Sequence, residues 1–267
     1  MKLTILGTGN AVVTKCYNTC FILENNQDYL LVDAGGGNQI LSQLEKINVN
    51  WKDIHHIIVT HKHIDHIMGM VWLLRLYLQN LSRGMEIDDV YIYGHDVVVE
   101  TLDTLAHLLL TPKETKYLNT KVHLVEVKHD ETIQLLDHDI TFFDIESTKE
   151  KQFGFTMVNP DTKFKLTCLG DEPYNPHNEA YALNSDWLLH EAFCLYADRE
   201  RFQPYKKAHT TPKEAGENAT ALHAKNLILY HTEDKTFATR KETYTNEAKQ
   251  YFSGNVYVPW DLESFDL

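Results

Sequence analysis

The 267-residue sequence predicts an α/β fold. Short apolar, β-branched runs such as Ile57-Ile58-Val59 and Leu227-Ile228-Leu229-Tyr230 recur along the chain and read as buried strands. Between them lie segments with apolar residues at helical spacing, such as Ile40, Leu41, Leu44 and Ile47. Strands and helices alternate in two halves, with no linker, low-complexity tract or repeat visible as sequence similarity. One domain over residues 1–267 is therefore expected.

Composition narrows the class. The hydrophobic share of 43% is ordinary for a globular chain and supplies a substantial core. No apolar run is long enough to span a bilayer, and Met1 to Gly7 lacks the apolar region of a signal peptide. No membrane association and a cytoplasmic location are the expectations. Cys16, Cys20, Cys168 and Cys194 form no Cys-x-x-Cys pair and read as thiols. The formal net charge of −13 disfavours broad non-specific binding to nucleic acid, which needs basic surface. A nucleic-acid substrate stays open, because bound divalent ions reverse the field locally.

Taken in order, Lys2 to Leu6 is a strand ended by the turn Gly7-Thr8-Gly9-Asn10. Thr19 to Leu23 and Tyr29 to Val32 read as paired strands around Asn25-Asn26. Asp33 follows, ahead of Gly35-Gly36-Gly37, a placement that suits a turn residue. A helix then leads to the strand Ile57 to Val59. After it, His61, His63, Asp65 and His66 fall within six residues. Imidazole and carboxylate together suit zinc and similar divalent ions. His61 and His63, two apart, can converge on one ion, while Asp65 and His66 turn towards a second. Ile67 to Leu78 reads as a helix behind this loop.

Val90 to Tyr93 is a strand, and Val97 to Leu110 is a helix stopped near Thr111-Pro112. Val122 to Val127, Ile140 to Ile145, Phe164 to Leu169, Trp187 to Ala192 and Leu227 to Tyr230 read as strands. His95 and His107 read as ordinary surface or core histidines, and His123, His129 and His138 have no ligand-like partner spacing. Thr211, Pro212 and Glu214 form a capping box at a helix running to about His223. His209 precedes it on a loop beside Lys206 and Lys207, and helix N-termini favour anions. The tail carries a helix from about Phe237 to Phe252, then Val256 to Trp260.

The His61-x-His63-x-Asp65-His66 stretch, between a strand and an apolar helix, resembles the signature of the metallo-β-lactamase fold superfamily. That resemblance covers most of the chain and implies a four-layer αββα sandwich with active-site loops at one edge. Phe153-Gly154-Phe155, His190-Glu191-Ala192 and His209-Thr210-Thr211 make the ribonuclease Z branch the nearest match. The branch implies a binuclear metal-dependent hydrolase, a phosphodiesterase that trims precursor tRNA. The implied ions are two divalent metals, zinc or alternatively manganese. The implied ligands are His61 and His63 on one ion, Asp65, His66 and His231 on the other, and Asp171 between them, although an aspartate after Gly170 also suits a plain turn. The branch places a further histidine ahead of the Phe-Gly-aromatic strand, and none stands here. Glu146 is the expected substitute, with Asp144 or an unfilled position as alternatives.

Asp65 is expected to orient or deprotonate water. His209, held by Glu191, is expected to contact the scissile phosphate. The implied partner is an anionic phosphodiester, RNA among the candidates, and a homodimer is a family expectation. One feature departs from ribonuclease Z. Its tRNA-gripping arm, inserted after the Phe-Gly-aromatic strand, is replaced by the seven residues Met157 to Lys163. Hydrolysis of a smaller ester, such as a cyclic nucleotide, lactone or thioester, is the alternative activity. A non-catalytic binding protein is the third.

Overall fold

The computed structural model describes all 267 residues. They form two compact units, and neither is continuous in sequence. The first takes Met1–Gly7, Tyr17–Val127 and Leu262–Leu267; the second takes Thr8–Cys16 and Lys128–Asp261.

The first unit contains β1 (Lys2–Gly7), β2 (Cys20–Asn25), β3 (Asp28–Val32), α1 (Gln39–Lys46), β4 (His56–Ile58), α2 (Ile64–Ser82), β5 (Val90–Gly94), α3 (Asp96–Leu109), α4 (Pro112–Thr115) and β6 (Val122–Glu126). The second contains β7 (Thr132–Leu135), β8 (His138–Asp144), β9 (Phe153–Val158), β10 (Lys165–Cys168), α5 (Glu179–Ala182), β11 (Trp187–Glu191), α6 (Arg199–Phe202), α7 (Pro212–Ala221), β12 (Asn226–Tyr230), α8 (Arg240–Ala248) and β13 (Asn255–Tyr257). β14 (Ser264–Asp266) returns to the first unit and pairs with β1.

The first sheet has the order β14-β1-β2-β3-β4-β5-β6. β3 to β6 run parallel, and the remaining pairs are antiparallel. β2 and β3 close through Asn26 and Gln27, both at positive φ (51° and 72°), the backbone of a two-residue hairpin whose twist matches the strands. Leu31, Ile57, Val90, Ile92 and Val122 share a core with Met70, Leu73, Leu74, Tyr77 and Leu78 of α2. Tyr77 is fully buried, and its hydroxyl donates to the carbonyls of Trp51 (2.8 Å) and Ile54 (2.9 Å), so its polar end is satisfied.

α2 reaches the loop after β3 at Gly69. A Cβ there would lie 1.8 Å from the Ala34 carbonyl oxygen. Only glycine permits this approach, which is fixed by Gly69 N–H donating to Gly35 O (2.8 Å) and Ala34 N–H donating to His66 O (3.1 Å).

The second sheet has the order β13-β12-β11-β10-β9-β8-β7, again with a parallel half, β10 to β13, and an antiparallel half. Leu188, Leu227 and Leu229 pack with Ala215 and Ala219 of α7 and Tyr244 and Ala248 of α8. Arg240, at the start of α8, is fully buried. It donates to Thr232 Oγ1 (2.6 Å), Thr8 Oγ1 (3.2 Å) and Pro259 O (2.9 Å), and its guanidinium lies against the adjoining rings of Phe237 and Trp260. These bonds tie the early segment Thr8–Cys16 into the second unit.

Most expected elements are present. α2 is longer than expected at both ends, and the tail helix is shorter, ending at Ala248. β7, β14, α4, α5 and α6 were not expected. No helix is long and apolar enough to cross a membrane.

Candidate metal centre

In each sheet, the candidate residues lie where parallel strands end at their carboxyl termini, the place at which open α/β sheets present ligand-binding loops. Asp33 follows β3, His61 follows β4, Asp171 follows β10, Glu191 ends β11 and His231 follows β12.

In the first unit, Asp33 is the anchor. Buried, with φ at 55°, it accepts hydrogen bonds from Thr60 N–H (2.8 Å) and Thr60 Oγ1 (2.8 Å) and contacts His66 Nδ1 at 2.7 Å. Proton counting fixes both buried imidazoles. An ionised carboxylate only accepts, so His66 carries its proton on Nδ1. The Thr60 hydroxyl spends its single proton on Asp33, so it accepts from His61 Nδ1 at 2.9 Å. Each ring therefore offers a lone pair at Nε2, the form a metal ligand needs.

The four expected donors of this unit come together. The His61 ring centroid lies 4.1 Å from that of His66 and 4.5 Å from that of His63, and Asp65 Oδ2 is 3.5 Å from His66 Nε2. Asp33, His61 and His66 could themselves form a three-donor group. The three bonds already made by Asp33 assign it to orientation rather than ligation.

In the second unit, Glu191, His209 and His231 bring donor atoms to within 4.8 Å of one another. Asp171 Oδ2 lies 3.4 Å from His231 Nε2. His231 holds φ at 56°, a left-handed backbone that costs a non-glycine residue about 1–2 kcal/mol. Bonds on the next residue hold it there: Thr232 N–H donates to Thr8 O (3.0 Å), and Thr232 O accepts from Asn10 N–H (3.0 Å).

Glu191 is fully buried, and its Oε1 accepts the Thr210 N–H. Its Oε2 lies 3.6 Å from His209 Nδ1. Burial pushes the Glu191 carboxyl well up. Burial, and then the charge of His231, push His209 down to about 3. A nearby dication favours the Glu191 anion and opposes the first of these shifts. His209 stacks on Phe193 (5.1 Å, 16°) and leads into α7, whose capping box is present: Glu214 Oε2 accepts Thr211 N–H at 2.9 Å. Lys207 lies over the Phe193 ring, and Lys149 Nζ donates to Lys207 O (2.9 Å), so two cations lie near His209.

Glu146, expected to replace the missing histidine, is not among the residues brought to this group. Its φ of 57° at the end of β8 turns the side chain out to solvent, and its Oε2 is bonded to Asn175 Nδ2 (2.9 Å) and His177 Nδ1 (2.9 Å). Asp144 caps the Glu146 N–H (2.8 Å). Sequence reasoning missed Thr60, Lys149, Gln152 and Tyr230. Gln152 Nε2 donates to Asp171 Oδ1 (2.6 Å), and the Tyr230 hydroxyl donates to Gly170 O. Only Thr60 carried a signal, its place beside His61.

The donor set fits a divalent ion: His61 and His66 present fixed Nε2 lone pairs, oriented by Thr60 and Asp33, with the Asp65 carboxylate beside them.

Fold and site together define a metallo-β-lactamase fold, metal-dependent hydrolase. A family profile described as "Anti-Pycsar protein Apyc1" matches residues 1–249, and the chain belongs to that family. A ribonuclease Z of Bacillus thuringiensis (strain Al Hakam) is 25% identical over 321 aligned positions, covering 100% of this chain and 99% of the relative. Among solved structures, the metallo-β-lactamase fold protein YhfI from Bacillus subtilis superposes with a TM-score of 0.79 at 21% identity, covering 99% of this chain and 98% of that one. Human tRNase Z, short form (ELAC1), gives 0.76 at 20% identity, covering 100% and 99%.

Proposed function

We propose that the chain is a divalent-metal phosphodiesterase acting on a small phosphodiester, such as a cyclic nucleotide. The proposed ligands of two zinc ions, with manganese as the alternative, are His61, His63, Asp65 and His66 of the first unit and Asp171 and His231 of the second.

The observation that carries the substrate choice is the connection between β9 and β10. It is a six-residue turn, 159–164, closed by Asn159 N–H donating to Phe164 O (2.9 Å), with Asn159 Oδ1 accepting from Asp161 N–H and Thr162 N–H. Ribonuclease Z inserts its RNA-gripping arm at this point, and a saturated turn of this length has none. The alignment to the Bacillus relative spans 321 positions, 54 more than the 267 residues here, so that relative carries about 54 residues without counterpart. The net charge of −13 opposes a long polyanion in the same direction.

Divalent ions supply Lewis-acid charge to the phosphoryl oxygens and lower the pKa of water. The chain supplies the rest. Asp33 and Thr60 hold the His66 and His61 tautomers. Asp65 accepts the proton of the attacking water at a carboxylate oxygen. His209, with Nδ1 3.6 Å from Glu191 Oε2, stabilises the charge that develops on the leaving oxygen. Lys149 and Lys207 favour an anion near it.

Cleavage of precursor tRNA is the second reading, favoured by the name of the 25% identical relatives. Metal-reconstituted protein assayed on bis-p-nitrophenyl phosphate, 3′,5′-cyclic nucleotides and precursor tRNA separates the two. Turnover of the first two, with precursor tRNA at least a hundredfold slower, is expected. Efficient tRNA cleavage would establish the second reading. Activity confined to lactones or thioesters would overturn both.

A further inference from the structure

The segment ahead of Phe153-Gly154-Phe155 lacks the histidine that the resemblance calls for, and Glu146 faces solvent instead. In this segment, Gln152 reaches a proposed ligand. It is 1% exposed and donates from Nε2 to Asp171 Oδ1 at 2.6 Å. The amide orientation is chemically forced, because an ionised carboxylate offers no proton for the Gln152 carbonyl. Gln152 is anchored at its own backbone, where its carbonyl accepts Ile145 N–H (3.0 Å) at the β8–β9 junction. The backbone of Asp171 is held from the other side. Gly170 sits at φ 84°, and its carbonyl accepts the hydroxyl of the buried Tyr230. The two carboxylate oxygens of Asp171 are thereby distinguished: Oδ1 on Gln152, Oδ2 beside His231 Nε2 at 3.4 Å.

We propose that Gln152 is the positioning residue for Asp171 and takes the structural place of the missing histidine without adding charge. By holding Oδ1 it fixes the carboxylate rotamer and leaves Oδ2 as the principal donor. This rests on the ligand role of Asp171 given above. A buried amide satisfied by a carboxylate for packing alone is the competing account. The two differ in metal affinity, since groups that orient a ligand typically change affinity by about 10–100-fold, whereas packing changes only the stability.

The test titrates zinc into metal-free full-length protein against a chromophoric chelator, with the thermal midpoint recorded for each variant. Gln152→Met keeps the volume and removes the donor, and should weaken at least one ion by tenfold or more. Gln152→His, whose ring N–H reaches the same oxygen, should restore it. Glu146→Ala should bind both ions as wild type does. Gln152→Met with wild-type affinity for both ions overturns the proposal, as does Glu146→Ala losing an ion. Wild type that binds no ion overturns the metal reading itself, and this inference with it.

Discussion

At the scale of single residues, Asp33 controls more chemistry than its place outside the ligand motif suggests. It fixes one imidazole directly and a second through the Thr60 hydroxyl. Asp33→Asn isolates that role. Asparagine tolerates the left-handed backbone at φ 55°, so the turn survives. With its Nδ2 towards His66, however, it offers a donor where His66 Nδ1 also donates, which forces the proton to Nε2 and removes the lone pair. Zinc affinity should fall by tenfold or more while the thermal midpoint moves by a few degrees, measured by titration and calorimetry on the same sample. Unchanged affinity would remove Asp33 from the centre. Asp65→Ala should abolish phosphodiester hydrolysis with little loss of fold, because Asp65 sits in the first turn of α2, and kcat/KM read beside the midpoint checks this.

The donors of the first unit were legible because strand, donor cluster and helix are adjacent in sequence. Gln152 was not legible. Its meaning depends on Asp171, nineteen residues away, and a glutamine carries no ligand signal of its own.

At the scale of elements, the close crossing of α2 over the loop after β3 determines where the ligand loop sits. Gly69→Ala tests it, and two effects oppose each other. Alanine favours an interior helix position by about 1 kcal/mol over glycine. The added Cβ would meet the Ala34 carbonyl oxygen at 1.8 Å, and a backbone atom cannot yield as a side-chain tip can. Overpacking of this kind costs roughly 1–3 kcal/mol, so the clash wins. Net destabilisation of up to about 2 kcal/mol is expected in urea unfolding, with weakened zinc binding because His66 lies on the same turn. A stabilised variant would show that the crossing is loose.

Helix starts were legible where capping chemistry declared them, as at Thr211. The same tetrapeptide, Thr-Pro-Lys-Glu, begins at Thr111 and starts α4, where it was read only as a stop. β7 and β14 were missed for a physical reason. Both alternate polar and apolar residues, but over only four and three positions, too few to distinguish a strand from a loop before sheet pairing fixes them.

At the scale of the whole molecule, both sheets repeat one arrangement, an antiparallel half joined to a parallel half whose strand ends carry histidine and carboxylate. No repeat showed in the sequence, because the arrangement constrains topology and burial rather than residue identity. Each sheet also has its own apolar core, so metal is not required to hold either together. Removing the ions therefore gives a specific outcome. Chelation should abolish hydrolysis and leave the far-ultraviolet circular dichroism near its starting value. An ion present at 100 times its Kd stabilises the folded state by about 2.7 kcal/mol. For a chain of this size that corresponds to a fall in midpoint of roughly 5–10 °C for each such ion removed. Re-addition of zinc should restore both activity and midpoint. Complete unfolding on chelation would make the ions structural, as in domains folded by zinc, and would contradict the two cores. Undiminished hydrolysis in excess chelator would remove metal from the reaction and overturn the phosphodiesterase proposal.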